Sequence, residues 1–244
     1  MTDKPGESKK AKYGIDAPGV IRNLFLGGAA LVLAALFFPV IKIGSFEANI
    51  SWFVWPGGFL LAESVLMLVY SLHGKYKHRD RMLDMVNWRG NEQVLDVGTG
   101  KGLLLIGAAK KLTTGKSTGI DIWVKEDLSG NNMIAALQNA AIERVDRKVE
   151  ILNENAMNMS FSDNTFDVIL TNLCLHNIYN KPGRYDACKE ICRVLKKGGT
   201  AVVSDFRHTR EYKHHFDQLG LHAELHGTNY FTTFPPLTIL VVKK

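Results

Sequence analysis

The chain has 244 residues, a formal net charge of +6 and three cysteines. This length suits one domain of ordinary size plus an appendage, and it leaves ample chain for a hydrophobic core. The cysteines are Cys174, Cys188 and Cys192, and they form no CxxC motif. They argue against a disulfide scaffold and indicate a reducing compartment.

The positive charge lies around two apolar segments near the start of the chain. Residues 1–22 carry a net +2 and residues 73–90 carry +3, whereas the long stretch 91–244 carries only +2. A protein that binds nucleic acid by its phosphates needs a clear basic stripe. The charge distribution therefore predicts no nucleic-acid partner.

The two apolar segments are long enough to cross a bilayer. Leu24–Ile41 holds 18 residues without a charge, or about 27 Å of helix. Ile50–Leu72 holds 23 residues, with Glu63 as the one acid. Glu63 is costly in lipid, so it marks either a functional site or a protonated or paired structural group. We predict a transmembrane helical hairpin, followed by a basic amphipathic connecting helix over 74–90.

The basic flanks predict an orientation for this hairpin. Lysines and arginines precede the first segment and follow the second, whereas the short connection carries only Lys42. By the positive-inside rule both termini and the remaining domain face the cytoplasm, in a two-pass membrane protein that contacts lipid. Trp52 and Trp55 then lie at the far interface. The alternative is an apolar helical pair folded over the soluble domain or buried in a dimer.

From residue 93 the pattern alternates between short apolar runs and helical periodicity. Alternation of this kind predicts an α/β fold with a Rossmann-like, doubly wound and mainly parallel sheet of seven strands. Ligands in such sheets bind at the carboxyl ends of the strands. Strands are predicted at 93–98, 116–121, 148–152, 166–171, 200–205, 221–227 and 237–244, and helices at 102–112, 132–144, 184–195 and 209–220.

Two of these strand ends carry the residues of a nucleotide-like site. Asp96, Gly98, Gly100 and Gly102 form D-x-G-x-G-x-G at the first strand end, where glycines permit a tight turn and close approach of the backbone to a ligand. The second strand ends in Asp121, a carboxylate placed to accept hydrogen bonds from a ribose diol. The glycine pattern alone is weak evidence for such a site, and the two strand ends together are stronger evidence.

Residues 91–244 resemble the class I S-adenosylmethionine-dependent methyltransferases, with the glycine loop, the acid after the second strand and "VLKKGGTAVVSD" as the matching features. The resemblance implies S-adenosylmethionine as the cofactor. It places the methionine part along Gly98, Thr99, Gly100 and Gly102, and the amino-acid end beside Asp96. It also places the ribose at Asp121 and the adenine near Ile122, Asn155 and Ala156. Asn155 stands where the family often has an aspartate.

The dehydrogenases share a glycine loop, but theirs is usually G-x-G-x-x-G with phosphate-binding geometry. Here the third glycine comes one residue earlier, so methyl transfer is favoured over hydride transfer. The complete chain resembles small bacterial methyltransferases with an N-terminal membrane hairpin, through "YGIDAPGVIRN", "WPGGF", "DIWVKEDLSGNN" and "RHTREY". We therefore divide it into a basic segment (1–22), two transmembrane helices (23–73), the connecting helix (74–90) and a methyltransferase domain (91–244).

Methyl transfer mainly requires alignment, and a base is needed only where the acceptor loses a proton. His176, after the fourth strand, is the candidate catalytic base, although packing is the alternative. Asn172 is expected to face the cofactor or to organise the backbone, and Tyr179 to wall the substrate pocket. Arg207 and His208 are candidates for binding an anionic substrate group, together with Tyr212, and helix capping or solvation is the alternative. No metal site is predicted.

The sequence favours a small-molecule acceptor. "TNLC" follows the fourth strand in place of the Asp/Asn-Pro-Pro-Tyr motif, which removes the usual support for methylation of a nucleic-acid base. Tethering to a membrane raises the local concentration of lipid-soluble acceptors such as quinones, isoprenoids, lipid amines or hydrophobic thiols. Two alternatives stay open, namely a cofactor-binding regulatory module and a methyltransferase acting on a protein or RNA.

Overall fold

The computed structural model describes residues 10–244. Helix α1 spans Pro18–Phe37, and a two-stranded antiparallel hairpin follows, with β1 at Val40–Ile43 and β2 at Phe46–Asn49. The helix therefore begins six residues before the predicted apolar segment at Leu24, because a proline suits the first helical turn. The end of that segment, at Val40 and Ile41, forms a strand instead. The tight connection that we predicted is this β-hairpin, in which Lys42 pairs with Glu47.

The second helical stretch is continuous from Ser51 to Leu83. It contains α2 (Val54–Val69), a π turn at Tyr70–Gly74 and α3 (Lys75–Leu83). The connecting helix predicted at 74–90 is thus the continuation of the second apolar helix, and it ends seven residues early. Trp88 closes the end by donating from Nε1 to the Leu83 carbonyl, at 2.8 Å.

Glycines hold α1 and α2 together. A Cβ on Gly28 would lie 2.7 Å from the Gly57 carbonyl oxygen, and a Cβ on Gly57 would lie 2.9 Å from the Gly28 carbonyl oxygen. Small residues of this kind allow two helix backbones to approach closely. Most other apolar side chains of the pair point outward, including Phe25, Leu36, Phe37, Trp55 and Phe59.

By length and composition, two helical stretches in the described part of the chain could cross a membrane, Pro18–Phe37 and Ser51–Leu83. Only 11% of the most apolar window of each is buried inside the protein. The most apolar windows of both helices therefore expose their surface rather than packing into the core of the sheet domain. Glu63 lies half-buried on α2.

The seven predicted strands are present as one sheet in the order β5-β4-β3-β6-β7-β9-β8. All neighbours pair in parallel except β9, which runs antiparallel to β7 and to β8. This confirms the Rossmann-like sheet. The strands are β3 (Gln93–Val97), β4 (Lys116–Asp121), β5 (Val149–Asn153), β6 (Phe166–Asn172), β7 (Leu195–Asp205), β8 (His222–Asn229) and β9 (Leu237–Lys243).

Helices cover both faces of this sheet. Residues of α3 and α4 pack with Val94, Val168, Leu170 and Val202 on one face, and residues of α6 and α7 pack with the alternate strand residues on the other. The strand order reverses at β3, whose neighbours are β4 and β6, and ligand sites in such sheets lie at this point. The soluble helices are α4 (Leu103–Lys111), α5 (Met133–Ile142), α6 (Lys181–Val194) and α7 (Thr209–Gln218).

Candidate functional site

The glycine loop between β3 and α4 adopts a backbone that requires its glycines. Gly98, Gly100 and Gly102 have φ values of +75°, +53° and +86°, which L side chains rarely adopt. A Cβ on Gly98 would also collide with the side chain of Cys174. The loop therefore leaves bare backbone at the tip of β3, where the sequence predicts a cofactor.

Asp96 braces this loop from beneath. Its side chain is 1% exposed, and Oδ2 accepts hydrogen bonds from Thr99 Oγ1 at 2.8 Å and from the Leu105 amide at 2.9 Å. Burial raises the pKa of the carboxyl group to about 7. Asp96 thus joins the glycine loop to the first turn of α4.

Asp121 ties the tips of β3 and β4 together. Its Oδ2 accepts from the Gly100 amide at 2.8 Å, and its Oδ1 accepts from the Trp123 amide at 2.6 Å. A carboxylate has roughly four acceptor positions, so two remain for a ligand diol. Ile122 is 57% exposed at the edge of this site. Trp123 is partly buried and packs against the core cluster of Leu105, Ala136 and Ile151.

Asn131 lies beside the glycine loop and was not predicted from the sequence. Its Nδ2 donates to the Val124 carbonyl at 3.0 Å, whereas its buried Oδ1 has no hydrogen-bond partner in the described part of the chain. Oδ1 lies near Gly100, since it is 3.9 Å from the position a Cβ would take there. The quoted stretch "LSGNN" contains this residue, but nothing in the sequence distinguishes it from Asn132, which caps α5.

The N-terminal segment 11–17 packs on the loop that carries Asn131. The Ile15 amide donates to Ser129 Oγ at 2.7 Å, and the Ser129 amide donates to the Ile15 carbonyl at 2.9 Å. The Ala17 amide donates to the Asp127 carbonyl at 2.8 Å. The segment just before the first apolar helix is therefore a strap over the loop after β4.

A buried polar cluster joins the strap to the second helical stretch. Lys75 Nζ donates to the carbonyls of Tyr13 and Gly14, at 3.0 and 2.5 Å, and lies 3.4 Å from Asp16 Oδ2. Ser71 Oγ donates to the same Asp16 oxygen at 3.0 Å. Burial lowers the pKa of Lys75, against the opposing effect of Asp16. The strap thus connects the second helical stretch with the loop after β4.

The predicted adenine contacts after β5 have local partners in the structure. The Asn155 side chain is exposed, and its Oδ1 accepts from the Met157 amide at 2.9 Å within its own turn. Ala156 packs against the main core cluster. Their contact with a cofactor stays a prediction.

The tips of β6 and β7 bring a histidine and an aspartate together. His176 Nδ1 lies 2.9 Å from Asp205 Oδ1, at an angle too oblique for a good hydrogen bond. Asp205 is 1% exposed, and its Oδ2 accepts from the His176 amide at 3.2 Å and from Tyr212 Oη at 3.4 Å. The His176 ring packs edge-on against Phe206. Asp205 therefore positions His176 through the backbone amide of His176 and lies directly against its ring.

Of the other predicted substrate residues, the structure brings only Tyr212 into contact with the His176–Asp205 pair. Tyr179 is 96% exposed. The Arg207 guanidinium stacks 4.9 Å from the Phe206 ring centre, and His208 starts α7 with its Nδ1 3.7 Å from Glu211. Tyr212 is fully buried and reaches the site through Asp205. Among residues 10–244 no group of three or more His, Cys, Asp or Glu could hold a metal ion.

Cys174 lies beside the glycine loop but is not activated as a nucleophile. Burial raises the pKa of its thiol, and the carboxylates of Asp121 and Asp205 act in the same direction. A thiol is a good nucleophile only as the thiolate. Cys174 therefore acts as an apolar wall against Gly98.

The family model described as "Methyltransferase domain" matches residues 89–228. Among curated proteins, the chain is 31% identical over 135 residues to the ubiquinone/menaquinone biosynthesis C-methyltransferase UbiE of Dinoroseobacter shibae, covering 55% of this chain and 50% of the relative. It is 29% identical over 135 residues to the demethylmenaquinone methyltransferase of Bacillus subtilis, covering 55% and 54%. The chain spans about half the length of these relatives.

Solved structures share the fold at low sequence identity. The YcgJ protein of Bacillus subtilis superposes with a TM-score of 0.57 at 16% identity, over 69% of this chain and 99% of that chain. A putative O-methyltransferase of Nostoc punctiforme superposes with a TM-score of 0.59 at 18% identity, over 91% of this chain and 69% of that chain.

Proposed function

This chain belongs to the methyltransferase-domain family, and from that premise we propose that it is a membrane-anchored enzyme that methylates a small, lipid-soluble acceptor with S-adenosylmethionine. One observation carries the proposal. The glycine loop, fixed by Asp96 and Asp121, and the His176–Asp205 pair lie at adjacent strand tips around the switch point of one sheet.

The residues at the tips of β3 and β4 fit the cofactor. Bare backbone at Gly98 and Gly100 leaves room for a close ligand, and the buried acceptor atom Asn131 Oδ1 has no partner among residues 10–244. Buried polar atoms without partners are rare in folded proteins and call for a ligand or a water molecule. When bound, S-adenosylmethionine supplies a methyl group activated by the adjacent positive sulfur. Asp121 would hold the ribose, and the loop would hold the methionine part.

His176 is the group that can accept a proton in this site. An acceptor carbon or oxygen that gains a methyl group loses a proton, and a histidine takes protons near neutral pH. Asp205 faces Nδ1, which leaves Nε2 for the acceptor, and a buried carboxylate stabilises the imidazolium that forms. Tyr212 and the backbone amides of His176 and Phe206 hold Asp205 in place.

The hairpin supports a membrane location for this enzyme. Its helices expose apolar side chains on most sides, and basic residues flank both outer ends. We propose two membrane spans with both termini and the domain 91–244 on the cytoplasmic side. Tyr230 and Phe231, 70% and 98% exposed, precede Thr232, whose carbonyl touches Gly74 at the foot of the second helix. Exposed aromatic residues at this level suit the membrane interface.

The relatives point to the class of acceptor. Their names describe methylation of demethylmenaquinone and C-methylation in ubiquinone and menaquinone biosynthesis. Such acceptors combine a polar ring with a long apolar chain and dissolve in the bilayer. We propose an acceptor of this class, namely a hydroxylated ring on an isoprenoid or alkyl chain. An anchored enzyme meets such a molecule at a raised local concentration.

The test uses the full chain in lipid nanodiscs with methyl-tritiated S-adenosylmethionine. Lipid extract, membrane protein and RNA are offered separately, and the label is expected in the lipid extract. His176→Gln should lower the rate by roughly 100-fold, and Asp121→Ala should weaken cofactor binding by roughly 10-fold or more in calorimetry. Glu150→Ala, an exposed acid on β5, is the matched control and should behave as wild type. Label in protein or RNA, or cofactor binding without turnover in any fraction, would contradict the proposal.

A further inference from the structure

Two polar side chains of the second helical stretch point into the protein, close to the tips of β6 and β7. Tyr70 is 4% exposed and His78 is 1% exposed. Both face Asn172, whose side chain lies next to the Tyr70 hydroxyl and the His78 ring. Neither residue belongs to the soluble strands and helices that form the rest of the site.

Three polar atoms in this cluster have no hydrogen-bond partner of good geometry among the residues that the structure describes. They are Tyr70 Oη, His78 Nδ1 and Asn172 Oδ1. A buried polar atom without a partner destabilises the folded state, so three in one place would be a heavy cost for a purely structural cluster. The arrangement is typical of a site that binds a polar group.

The chemistry of these atoms specifies the group. Asn172 Oδ1 can only accept a hydrogen bond, and Tyr70 Oη is available as a donor. His78 Nε2 lies 2.7 Å from Ser204 Oγ, and burial lowers the pKa of His78 to about 4, so its ring is neutral at pH 7. A hydroxyl group both donates and accepts, so it satisfies Asn172 and Tyr70 together. A carbonyl oxygen only accepts and leaves Asn172 unsatisfied.

The cluster is also in the right place for the acceptor of methyl transfer. Asn172 pairs in register with Ser204, one residue before Asp205, which orients the candidate base His176. On the other side, β6 pairs with β3, whose end leads into the glycine loop. The cluster therefore lies close to both the candidate base His176 and the glycine loop.

The π turn explains how one helix delivers both side chains. Tyr70, Gly74, His78 and Met82 are all buried, at intervals of four residues. In a regular α-helix such a row drifts around the axis, but a π turn holds an extra residue and reduces the drift. Gly74 has no Cβ, and this lets the Thr232 carbonyl pack against the turn.

We propose that Tyr70 and His78, with Asn172, bind a ring hydroxyl of the acceptor. This rests on the proposed function and deepens it, because it selects a reduced, hydroxylated ring over its oxidised carbonyl form. Tyr70 lies at the cytoplasmic end of the predicted second span, and His78 lies six residues after its last residue, Leu72. The helix that anchors the protein thus also binds the head of a lipid-soluble acceptor where it leaves the bilayer.

The experiment uses an isoprenyl naphthohydroquinone as the probe, with the protein in nanodiscs. The KM is measured for methylation of the probe, and the Kd is measured for its equilibrium binding to protein loaded with S-adenosylhomocysteine. Tyr70→Phe and His78→Gln should each raise KM and Kd for this probe by about 10-fold, the effect of losing one hydrogen bond. Their affinity for S-adenosylhomocysteine should stay within about twofold of wild type. Tyr76→Phe and His73→Gln, on the same helical stretch, make the same chemical changes and should have no effect.

The outcomes separate the two proposals. If wild type methylates the probe and both variants keep its KM and Kd, this inference is wrong and the proposed function stands. If wild type binds S-adenosylhomocysteine but neither binds nor methylates the probe, the acceptor class is wrong and both proposals fall. Equal binding of the oxidised naphthoquinone and the hydroquinone would contradict the role of Asn172 and Tyr70 as a paired acceptor and donor.

Discussion

At the scale of single residues, the site depends on two aspartates with different environments. Asp96 is sealed beneath the glycine loop, where both of its recorded hydrogen bonds hold protein groups. Asp121 is half-exposed and holds the loop while keeping acceptor positions for a ligand. The same residue type thus serves as an internal brace at one strand tip and as a candidate ligand contact at the next.

The raised pKa of Asp96 predicts a pH-dependent stability. Its pKa rises from 3.8 to about 7 on folding, so the folded state binds the proton more tightly than the unfolded state. The associated stability is fully present below pH 4 and is lost as the pH rises through 7, by on the order of a few kcal/mol. Asp96→Asn should remove this dependence.

Thermal unfolding of the detergent-solubilised protein between pH 4 and 8 measures the effect. As the pH rises, the unfolding temperature of the wild-type protein should fall relative to that of Asp96→Asn. Asp146→Asn removes an exposed acid and should follow wild type at every pH. Parallel curves for wild type and Asp96→Asn would show that Asp96 is ionised throughout.

At the scale of elements, the hairpin is specified by glycine positions rather than by hydrophobicity. Each apolar helix contains two adjacent glycines, Gly27 and Gly28 in α1 and Gly57 and Gly58 in α2. Only Gly28 and Gly57 face the partner helix, and nothing lies within 4 Å of a Cβ placed on Gly27 or Gly58. The adjacent pairs therefore provide matched substitutions.

Gly28→Leu should force the helices apart, because its Cβ would meet the Gly57 carbonyl at 2.7 Å. Overpacking of this kind costs roughly 1–3 kcal/mol. We expect a lower unfolding midpoint in detergent and weaker binding of S-adenosylhomocysteine, since the strap and α3 lose their alignment. Gly27→Leu should change neither measurement. Similar behaviour of the two variants would argue that the helices do not pack as described.

At the scale of the whole molecule, the hairpin and the domain form one connected unit. Lys75 and Ser71 bind the strap at Asp16, and Tyr70 and His78 reach the strand tips. The second helix thus continues from the proposed bilayer directly into the site. Removing the hairpin would therefore remove part of the proposed site as well as the proposed anchor.

The proposed topology predicts which residues are accessible from outside. Ser45 lies in the turn between β1 and β2, and Ser162 lies on the exposed surface of the domain. In intact spheroplasts of an expression host, a membrane-impermeant maleimide should label Ser45→Cys. It should label Ser162→Cys only after permeabilisation, with wild type as the background for the native cysteines. Labelling of Ser162→Cys without permeabilisation would overturn the orientation.

Much of the fold follows from local patterns along the chain. The alternation of apolar runs predicts all seven strands of the sheet and the four helices between β3 and β8, because burial of one face imposes a fixed period on each element. The β-hairpin between the spans was missed because a run of four residues carries too little periodicity. The connecting helix was set too long because its basic residues continue to Arg89, beyond the last turn at Leu83.

The glycine loop and Asp121 were predicted from sequence, since a positive φ demands glycine and a strand end has a fixed place in a parallel sheet. Tertiary structure alone decided the rest: Asp205 orients His176 across 29 residues, and His78 meets Ser204 across 126. The physical reason is that a buried polar atom takes its partner from whichever segment packs against it. No local pattern records that choice, so only the folded chain shows that the second apolar helix continues to the strand tips of the candidate site.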